Sequence, residues 1–566
     1  MSDQDTYPWL KTYPKDIDWH AEIPVGALHE RLDRAEKKYA DHVCVEFKGR
    51  EFTYREITDK VRRLARALHE MGVGKGTRVG LFMPNCPQYI IAYYGILRAG
   101  ATVVNYNPLY SPRELEHQIK DSNTEVMITL ALNLLYPKLE KFIGTTCLKK
   151  VIVSQMGEAL PKAKAALFSV AKSKDIADIP EDDRHFRFAD LLQAPPEVQT
   201  ARIDPHKDIA VLQYTGGTTG VPKGVVLTHA NLTANIRQCR LWFTDAKDGE
   251  EIMMGVLPFF HVFAMTVTMN FAIASGFRII LHPRFEMKSV LDDIQSKKPT
   301  LMPGVPTMFS AILNYAKLDK YDLTSLKMCI SGGGPLPHDV KTRFEAKTGC
   351  KLFEGYGLSE TSPVASCNPI YGVNKTGSIG LPLPGTIFEI LSQEDGETVL
   401  PQGETGEICI RGKQVMPGYW NNQEETDKVL RNGRLHTGDV GYMDEDGYIF
   451  IVDRIKEMII SGGYNIYPRT IEEVLHTHPD IVQCAVIGVD HPTRGQVPKA
   501  FVVKKEASAL TEHDVKHYLK DKLSAYCLPQ HIEFRAELPT SMIGKILKKE
   551  LVAEEKAKSQ KVESAP

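Results

Sequence analysis

The stretch Y-T-G-G-T-T-G-V-P-K-G occupies residues 214–224 and governs the reading of the whole chain. It gathers glycines, threonines and one lysine behind an apolar run, D-I-A-V-L-Q-Y, that reads as a strand. Gly216, Gly217 and Gly220 let the backbone approach an anion closely, and successive N–H groups of such a loop can turn inward as a nest. Thr215, Thr218 and Thr219 add hydroxyl donors, and Lys223 adds a positive charge. The familiar phosphate loop, G-x-x-x-x-G-K-[ST], puts lysine directly after glycine and a hydroxyl after the lysine. Here Val221 and Pro222 separate Gly220 from Lys223, and Gly224 follows. The plain alternative is a solvated turn between a strand and a helix. The complete run after a strand points instead to a phosphate cradle of another design.

The bulk properties narrow the classes. A chain of 566 residues is too long for one hydrophobic core and suggests roughly three or four domain-sized units. With 43% hydrophobic and 25% charged residues it has the composition of a soluble globular protein. A net charge of −2 speaks against a nucleic-acid-binding surface. The ten cysteines form no C-x-x-C pair, which argues for a reducing, cytoplasmic setting over a zinc site or a disulfide scaffold. The N-terminus, M-S-D-Q-D-T-Y-P-W-L, fits no signal peptide. Residues 259–277 lack Asp, Glu, Lys and Arg and are just long enough to span a bilayer. His261, Thr266, Thr268, Asn270 and Ser275 dilute the segment, so a buried core helix is the expectation.

Short apolar runs that end in turn residues alternate with helical patterns from about residue 26: R-V-G-L-F-M-P, T-V-V-N-Y-N-P, V-M-I-T-L, K-K-V-I-V-S, T-L-M-P-G-V-P and L-K-M-C-I-S-G-G-G-P-L-P. This is the texture of an α/β fold with parallel strands, where ligands gather at the carboxyl ends. From about residue 376 the strands become short and turn-separated, as in a small β-rich subdomain. After Arg454 a compact α/β unit follows, with a charged tail, V-A-E-E-K-A-K-S-Q-K-V-E-S-A-P, expected to fray. The G-V-G-K-G-T of residues 72–77 lacks the lysine–hydroxyl adjacency and reads as a turn. His476 and His478 lack the rest of a metal site, and no G-x-S-x-G elbow supports a hydrolase.

The run at 214–224 resembles the signature of the adenylate-forming superfamily, Y-T-S-G-T-T-G-x-P-K-G, with Gly216 in place of serine. Its L-Q-Y-T-G-G-T-T-G form resembles bacterial long-chain fatty-acid–CoA ligases. The likeness extends to S-G-G-G-P-L-P (331–337), E-G-Y-G-L-S-E-T (354–361), L-H-T-G-D-V-G-Y-M-D-E-D-G-Y-I-F-I-V-D-R (435–454) and P-T-S-M-I-G-K-I-L (539–547). It implies a large N-terminal domain over 1–453, built from two α/β subdomains and a small β-rich subdomain. A hinge at 454–456 centred on Lys456 and a small mobile C-terminal α+β domain over 457–566 complete it. By resemblance, Gly332, Gly333, Gly334 and Pro335 form the adenine turn, joined by Glu354, Gly355, Tyr356, Gly357 and Ser359, the last replacing threonine. Tyr356 lies against the adenine ring, Glu360 and Thr215 hold Mg²⁺, Asp439 binds the ribose hydroxyls, and Ile451 and Arg454 complete the nucleotide site. An aromatic face suits a purine, a hard carboxylate suits magnesium, and an acceptor-only carboxylate suits a diol.

The resemblance makes Lys545 the catalytic group, set in a lysine-rich helix in which Lys548 and Lys549 read as solvated surface. The chemical logic stands beside it: a carboxylate attacking an α-phosphate brings two anions together, and an ammonium touching both offsets their repulsion. The expected cosubstrates are ATP with Mg²⁺ and coenzyme A, the products acyl-CoA, AMP and pyrophosphate. Gly462 and Gly463 would border the pantetheine channel after the small domain rotates. His261, Val262 and Phe263 would stand at the acyl entrance, with the apolar segment behind them walling a cavity for a medium or long chain. An aryl acid, an acyl-adenylating enzyme serving a carrier protein, and a non-catalytic ligand-binding protein are the alternatives. A monomer or homodimer with transient peripheral membrane contact is compatible with the sequence.

Overall fold

Parallel strands predicted from short apolar runs pair side by side in two large sheets. The computed structural model describes residues 7–197, 200–215, 222–461, 464–520, 522–541 and 544–563. In the seven-stranded sheet the order is His185–Arg187, Lys150–Ser154, Val126–Leu130, Arg78–Phe82, Thr102–Asn105, Ile209–Thr215 and Lys223–Thr228. All neighbours are parallel except the last pair. The nine-stranded sheet runs Leu381–Pro382, Val364–Cys367, Lys351–Gly357, Met328–Ser331, Leu301–Gly304, Ile252–Gly255, Arg278–Leu281, Val43–Phe47 and Arg50–Thr53. Its centre is parallel and its two margins antiparallel. Helix Pro87–Arg98 is buried along its whole length, which explains why its sequence is apolar on every side rather than striped.

The strands on either side of residues 216–221 are antiparallel, with Thr215 opposite Lys223. The plain alternative of a turn between a strand and a helix therefore does not hold. Lys223-Gly-Val-Val-Leu-Thr228 is rich in β-branched residues and continues as a strand. The helix begins only at His229, capped by Thr228, whose side chain accepts from the Asn231 N–H.

The charge-free segment 259–277 is buried, as expected, but its centre is wound as a π-helix, Ala264–Asn270, before an α turn at Phe271–Ala274. Asn270 is held there by the hydroxyls of Tyr94 and Tyr93, at 2.9 and 3.1 Å. Among the described residues, no helix is long and apolar enough to cross a membrane.

The β-rich unit is an antiparallel sheet of Ile387–Leu391, Gly406–Arg411, Arg434–Met443, Leu430–Arg431 and Ile449–Arg454. One continuous core runs from Trp9 to Ile449, and a second begins at Ile459. The second core lies under a sheet of Tyr464–Ile466, Ile459–Ser461, Gly495–Lys504, Ile481–His491 and His531–Phe534. The tail does not fray at residue 552: helix Lys548–Glu563 continues through it. Leu551 is buried beside Ala485, Ile487, Phe501 and Leu538, and Glu555 and Glu554 pair with Lys499 and Arg535. These contacts offset the ordering entropy that a charged tail cannot meet by itself.

Candidate active site

The last two strands of the β-rich unit set Asp439 directly opposite Arg454. The Arg454 Nε donates to Asp439 Oδ1 at 2.9 Å, and the Tyr356 hydroxyl donates to Oδ2 at 2.6 Å. Asp439 is buried, and its charge raises the Arg454 guanidinium above its ordinary range. Each carboxylate oxygen keeps acceptor capacity for a diol. The turn before Asp439 is pinned by Glu407, whose Oε1 accepts from the Gly438 N–H at 3.0 Å. Glu407, Cys409 and His436 are spaced closely enough for a metal, but the Arg431 guanidinium lies 2.7 Å from His436 Nδ1. A resident cation already fills that corner. Ile451 stands two strand positions inside Asp453, opposite Gly441.

Around the glycine-rich loop, Gly216, Gly217, Thr218, Thr219 and Gly220 lie outside the described residues. Their flanks are clamped. Lys223 forms an ion pair with Glu425, and its ammonium lies 5.1 Å from the centroid of the Tyr419 ring. The Tyr419 hydroxyl donates to Glu360 Oε1 at 2.8 Å, while the Glu360 carbonyl accepts from the Met416 N–H at 2.8 Å. The Trp420 N–H bonds the Gly224 carbonyl at 2.7 Å. Hydrogen bonding from Lys223 holds the Glu425 carboxyl down at about 2. One aromatic residue thus links the loop lysine to the carboxylate expected to hold magnesium. Sequence reasoning missed Tyr419 and Glu425. Their signal was an aromatic and an acidic residue in a turn-rich segment, and nothing local ties that segment to Lys223.

The glycine turn after strand Met328–Ser331 lies beside Phe263. A Cβ on Gly332 would stand 3.1 Å from the Phe263 ring, and Gly333 has a positive φ of 79°. Glu354 Oε2 accepts from the Leu336 N–H at 3.4 Å, and burial pushes this carboxyl up to about 7. A Cβ on Gly357 would fall 2.0 Å from the Pro363 carbonyl oxygen, so the chain there tolerates no side chain. Gly334 and Gly355 flank these contacts, Pro335 follows in the same turn, and Ser359 opens the short helix Ser359–Thr361 that carries Glu360. His261 Nδ1 accepts from the Phe263 N–H at 3.3 Å, which leaves its proton on Nε2. Burial, aided by the charge of Lys545, lowers His261 to about 4 and keeps it neutral. Val262 is buried, and the π-wound segment behind it presents Met265, Val267 and Met269 to the interior.

Lys545 reaches this cleft from the small domain. It precedes the terminal helix rather than sitting in it, because the chain turns back at Thr540–Ile546 and the helix starts at Lys548. The Ser541 N–H bonds the Lys545 carbonyl at 2.8 Å. Lys545 is exposed as a residue, yet the Arg454 charge first, and desolvation of its ammonium second, lower it to about 8. The charges of Arg454 and Asp439 bear on Lys545, and the charge of Lys545 bears on His261. Gly544 brings it there: its φ is +71°, and a Cβ would fall 2.2 Å from the Thr307 hydroxyl at the start of helix Pro306–Leu313. Gly544→Val is expected to slow acyl-adenylate formation by roughly 10-fold or more through strain and obstructed docking. Thiolysis of supplied acyl-AMP keeps its rate, and single-turnover assays of the two half-reactions read the difference.

Lys548 is not solvated surface: it bridges Glu457 and Glu472, each at 2.9 Å. Lys549 is exposed as expected. Lys456 is exposed in a turn where the Glu457 N–H bonds the Arg454 carbonyl at 3.0 Å. Buried Asp453 accepts from the N–H groups of Arg454 and Arg469, at 2.7 and 2.8 Å, tying the last strand of the large domain to the first helix of the small one. Gly462 and Gly463 lie outside the described residues.

Residues 32–420 match the AMP-binding enzyme family, and residues 470–545 match the AMP-binding enzyme C-terminal domain. The chain belongs to the AMP-binding enzyme family. Among relatives of this adenylate-forming enzyme, a long-chain-fatty-acid–CoA ligase of Bacillus subtilis is 44% identical over 555 residues, covering 98% of this chain and 99% of the relative. One of Yersinia pestis is 41% identical over 557 residues, covering 97% and 98%. The anthranilate CoA ligase AuaEII, solved with anthranoyl-AMP, superposes with a TM-score of 0.83 at 26% identity, covering 95% of this chain and 99% of its own. ATP-bound MatB from Rhodopseudomonas palustris gives 0.79 at 27%, covering 93% and 98%. The adenylate-forming fold, with a large N-terminal and a small C-terminal domain, is thus the fold of this chain.

Proposed function

We propose that this AMP-binding enzyme activates a medium- or long-chain fatty acid with ATP and transfers it to coenzyme A. The observation that carries the reading is the hydrogen-bonded cluster of Asp439, Arg454 and Tyr356, with the charge of Arg454 bearing on Lys545, that of Lys545 on His261, and a buried apolar segment behind His261. In the first step a carboxylate oxygen attacks the α-phosphorus, the bond to the β-phosphate bridge breaks, and pyrophosphate leaves. Asp439 fixes the ribose, Tyr356 lies against the adenine, and the threonines and Lys223 of the loop hold the phosphates. Lys545 stands between the two approaching anions. Glu360 suits Mg²⁺: it is a half-buried hard-oxygen donor, oriented by Tyr419, on a short helix packed against the strand that starts at Lys223. Mg²⁺ supplies charge neutralisation on the phosphates.

In the second step the coenzyme A sulfur attacks the acyl carbonyl and AMP leaves with the bonding pair. The small domain turns about Lys456 between the steps, withdrawing Lys545 and bringing Gly463 to the thiol channel. Neutral His261 and Phe263 frame the acyl entrance.

A fatty tail binds by burial, at about 0.8 kcal/mol per methylene. The kcat/KM is therefore expected to climb roughly 3- to 4-fold per added methylene until the cavity is filled. An assay of acids from acetate to oleate, with aromatic acids included, tests this by following AMP and CoA-thioester. A maximum at acetate or at an aryl acid overturns the chain-length reading. AMP release independent of coenzyme A overturns the thiol acceptor.

A further inference from the structure

Among the described residues, the two most exposed large apolar side chains share one short helix. Leu167 is 66% and Val170 77% exposed in helix Lys162–Ala171, and Ala163, Ala166 and Ala171 are exposed with them. Ala165 and Phe168 turn inward and pin the helix to the core. Residues 162–174 read K-A-K-A-A-L-F-S-V-A-K-S-K, an apolar centre between two pairs of lysines; Asp175 follows directly and pairs with Lys172 at 3.1 Å, an exposed contact that leaves the segment net cationic. Leu134, 58% exposed, sits beside the end of this segment, because the Asn133 side chain donates to the Lys174 carbonyl at 2.7 Å. Leu109, 54% exposed, follows a carbonyl that Lys138 contacts at 3.4 Å.

Topology puts these residues on a single rim. Leu167 and Val170 follow strand Lys150–Ser154, Leu134 follows Val126–Leu130, and Leu109 follows Thr102–Asn105, all parallel members of the seven-stranded sheet. All therefore emerge at its carboxyl edge. The acidic run Glu181–Asp183 leads into the amino end of the parallel strand His185–Arg187, at the opposite edge. The loop that ends in His261 is fastened to the same carboxyl edge: Asn85, just past strand Arg78–Phe82, donates to the Leu257 carbonyl at 2.8 Å and accepts from the Phe259 N–H at 2.7 Å.

We propose that this rim docks the enzyme on an anionic lipid surface, with Leu167 and Val170 inserted among acyl chains and the lysine pairs lying at the headgroups. The partner follows from the chemistry: apolar tips collared by lysines match a hydrocarbon layer under negative charge. Docking presents the edge that carries the acyl entrance to the phase in which a fatty acid dissolves, and it rests on the fatty-acid reading above.

The test is flotation of the full chain with phosphatidylcholine vesicles, with and without phosphatidylglycerol. The wild type is expected to float with the anionic vesicles and to be released by added salt. Leu167→Glu with Val170→Glu lowers the bound fraction by roughly 10-fold or more. Lys172→Glu with Lys174→Glu removes the preference for phosphatidylglycerol. Both variants keep wild-type turnover of octanoate in vesicle-free buffer, which reports an intact fold and cleft. Equal flotation of wild type and variants, equal binding to neutral vesicles, or capture of a protein with no vesicle binding overturns the docking surface. Wild type that floats but activates no fatty acid overturns the functional reading and leaves the docking surface standing.

Discussion

Lys545→Ala is expected to slow acyl-adenylate formation by roughly 10²- to 10³-fold while leaving thiolysis of supplied acyl-AMP near the wild-type rate. In the proposed mechanism the ammonium acts only where the carboxylate and the α-phosphate approach, so its loss removes stabilisation from one step. The amine sits at about 8 beside Arg454, below the ordinary lysine range near 10.4. The charged form is the working form. In free enzyme the first half-reaction therefore falls as pH rises through about 8, and bound triphosphate moves that limb upward by favouring the ammonium. The alanine variant lacks the limb. Pre-steady-state release of pyrophosphate against pH measures both effects. Comparable loss in the two half-reactions, or an unchanged alkaline limb in the variant, counts against the assignment.

Asp439→Asn is expected to reduce kcat/KM for ATP by roughly 10- to 100-fold, with little change in the KM of the fatty acid. The substitution preserves shape but removes the charge that orients Arg454 and accepts the Tyr356 hydroxyl. An amide has one carbonyl for two existing donors and an incoming diol. Deoxy-ATP discriminates between causes: if Asp439 grips the ribose, the variant loses most of the wild type's preference for ATP over 2′-deoxy-ATP. A variant that keeps that preference places the ribose elsewhere.

The strands of both large sheets were legible because each is a short apolar run closed by turn residues, a signal that needs no distant partner. Asp439, Arg454 and Tyr356 were legible through their motifs. Their mutual hydrogen bonds were not, because strand Lys351–Gly357 and the hairpin of the β-rich unit meet only in space. The same distance hid Glu425, which lies 202 residues from Lys223. One error had a local cause. The polar tail gave no hint of its helix, since among the described residues it is held by packing beside buried Leu551 and by ion pairs to other elements. Lys548 was read as surface because its partners, Glu457 and Glu472, lie 91 and 76 residues earlier.

The nearness of Lys545 to Arg454 has a bearing on timing. Asp439 and Glu457 offset only part of the repulsion between the two cations. On the two-step reading proposed above, a triphosphate adds the negative charge that draws the lobes together. Departure of pyrophosphate then takes much of that charge away, so the repulsion favours release of the small lobe before the second step.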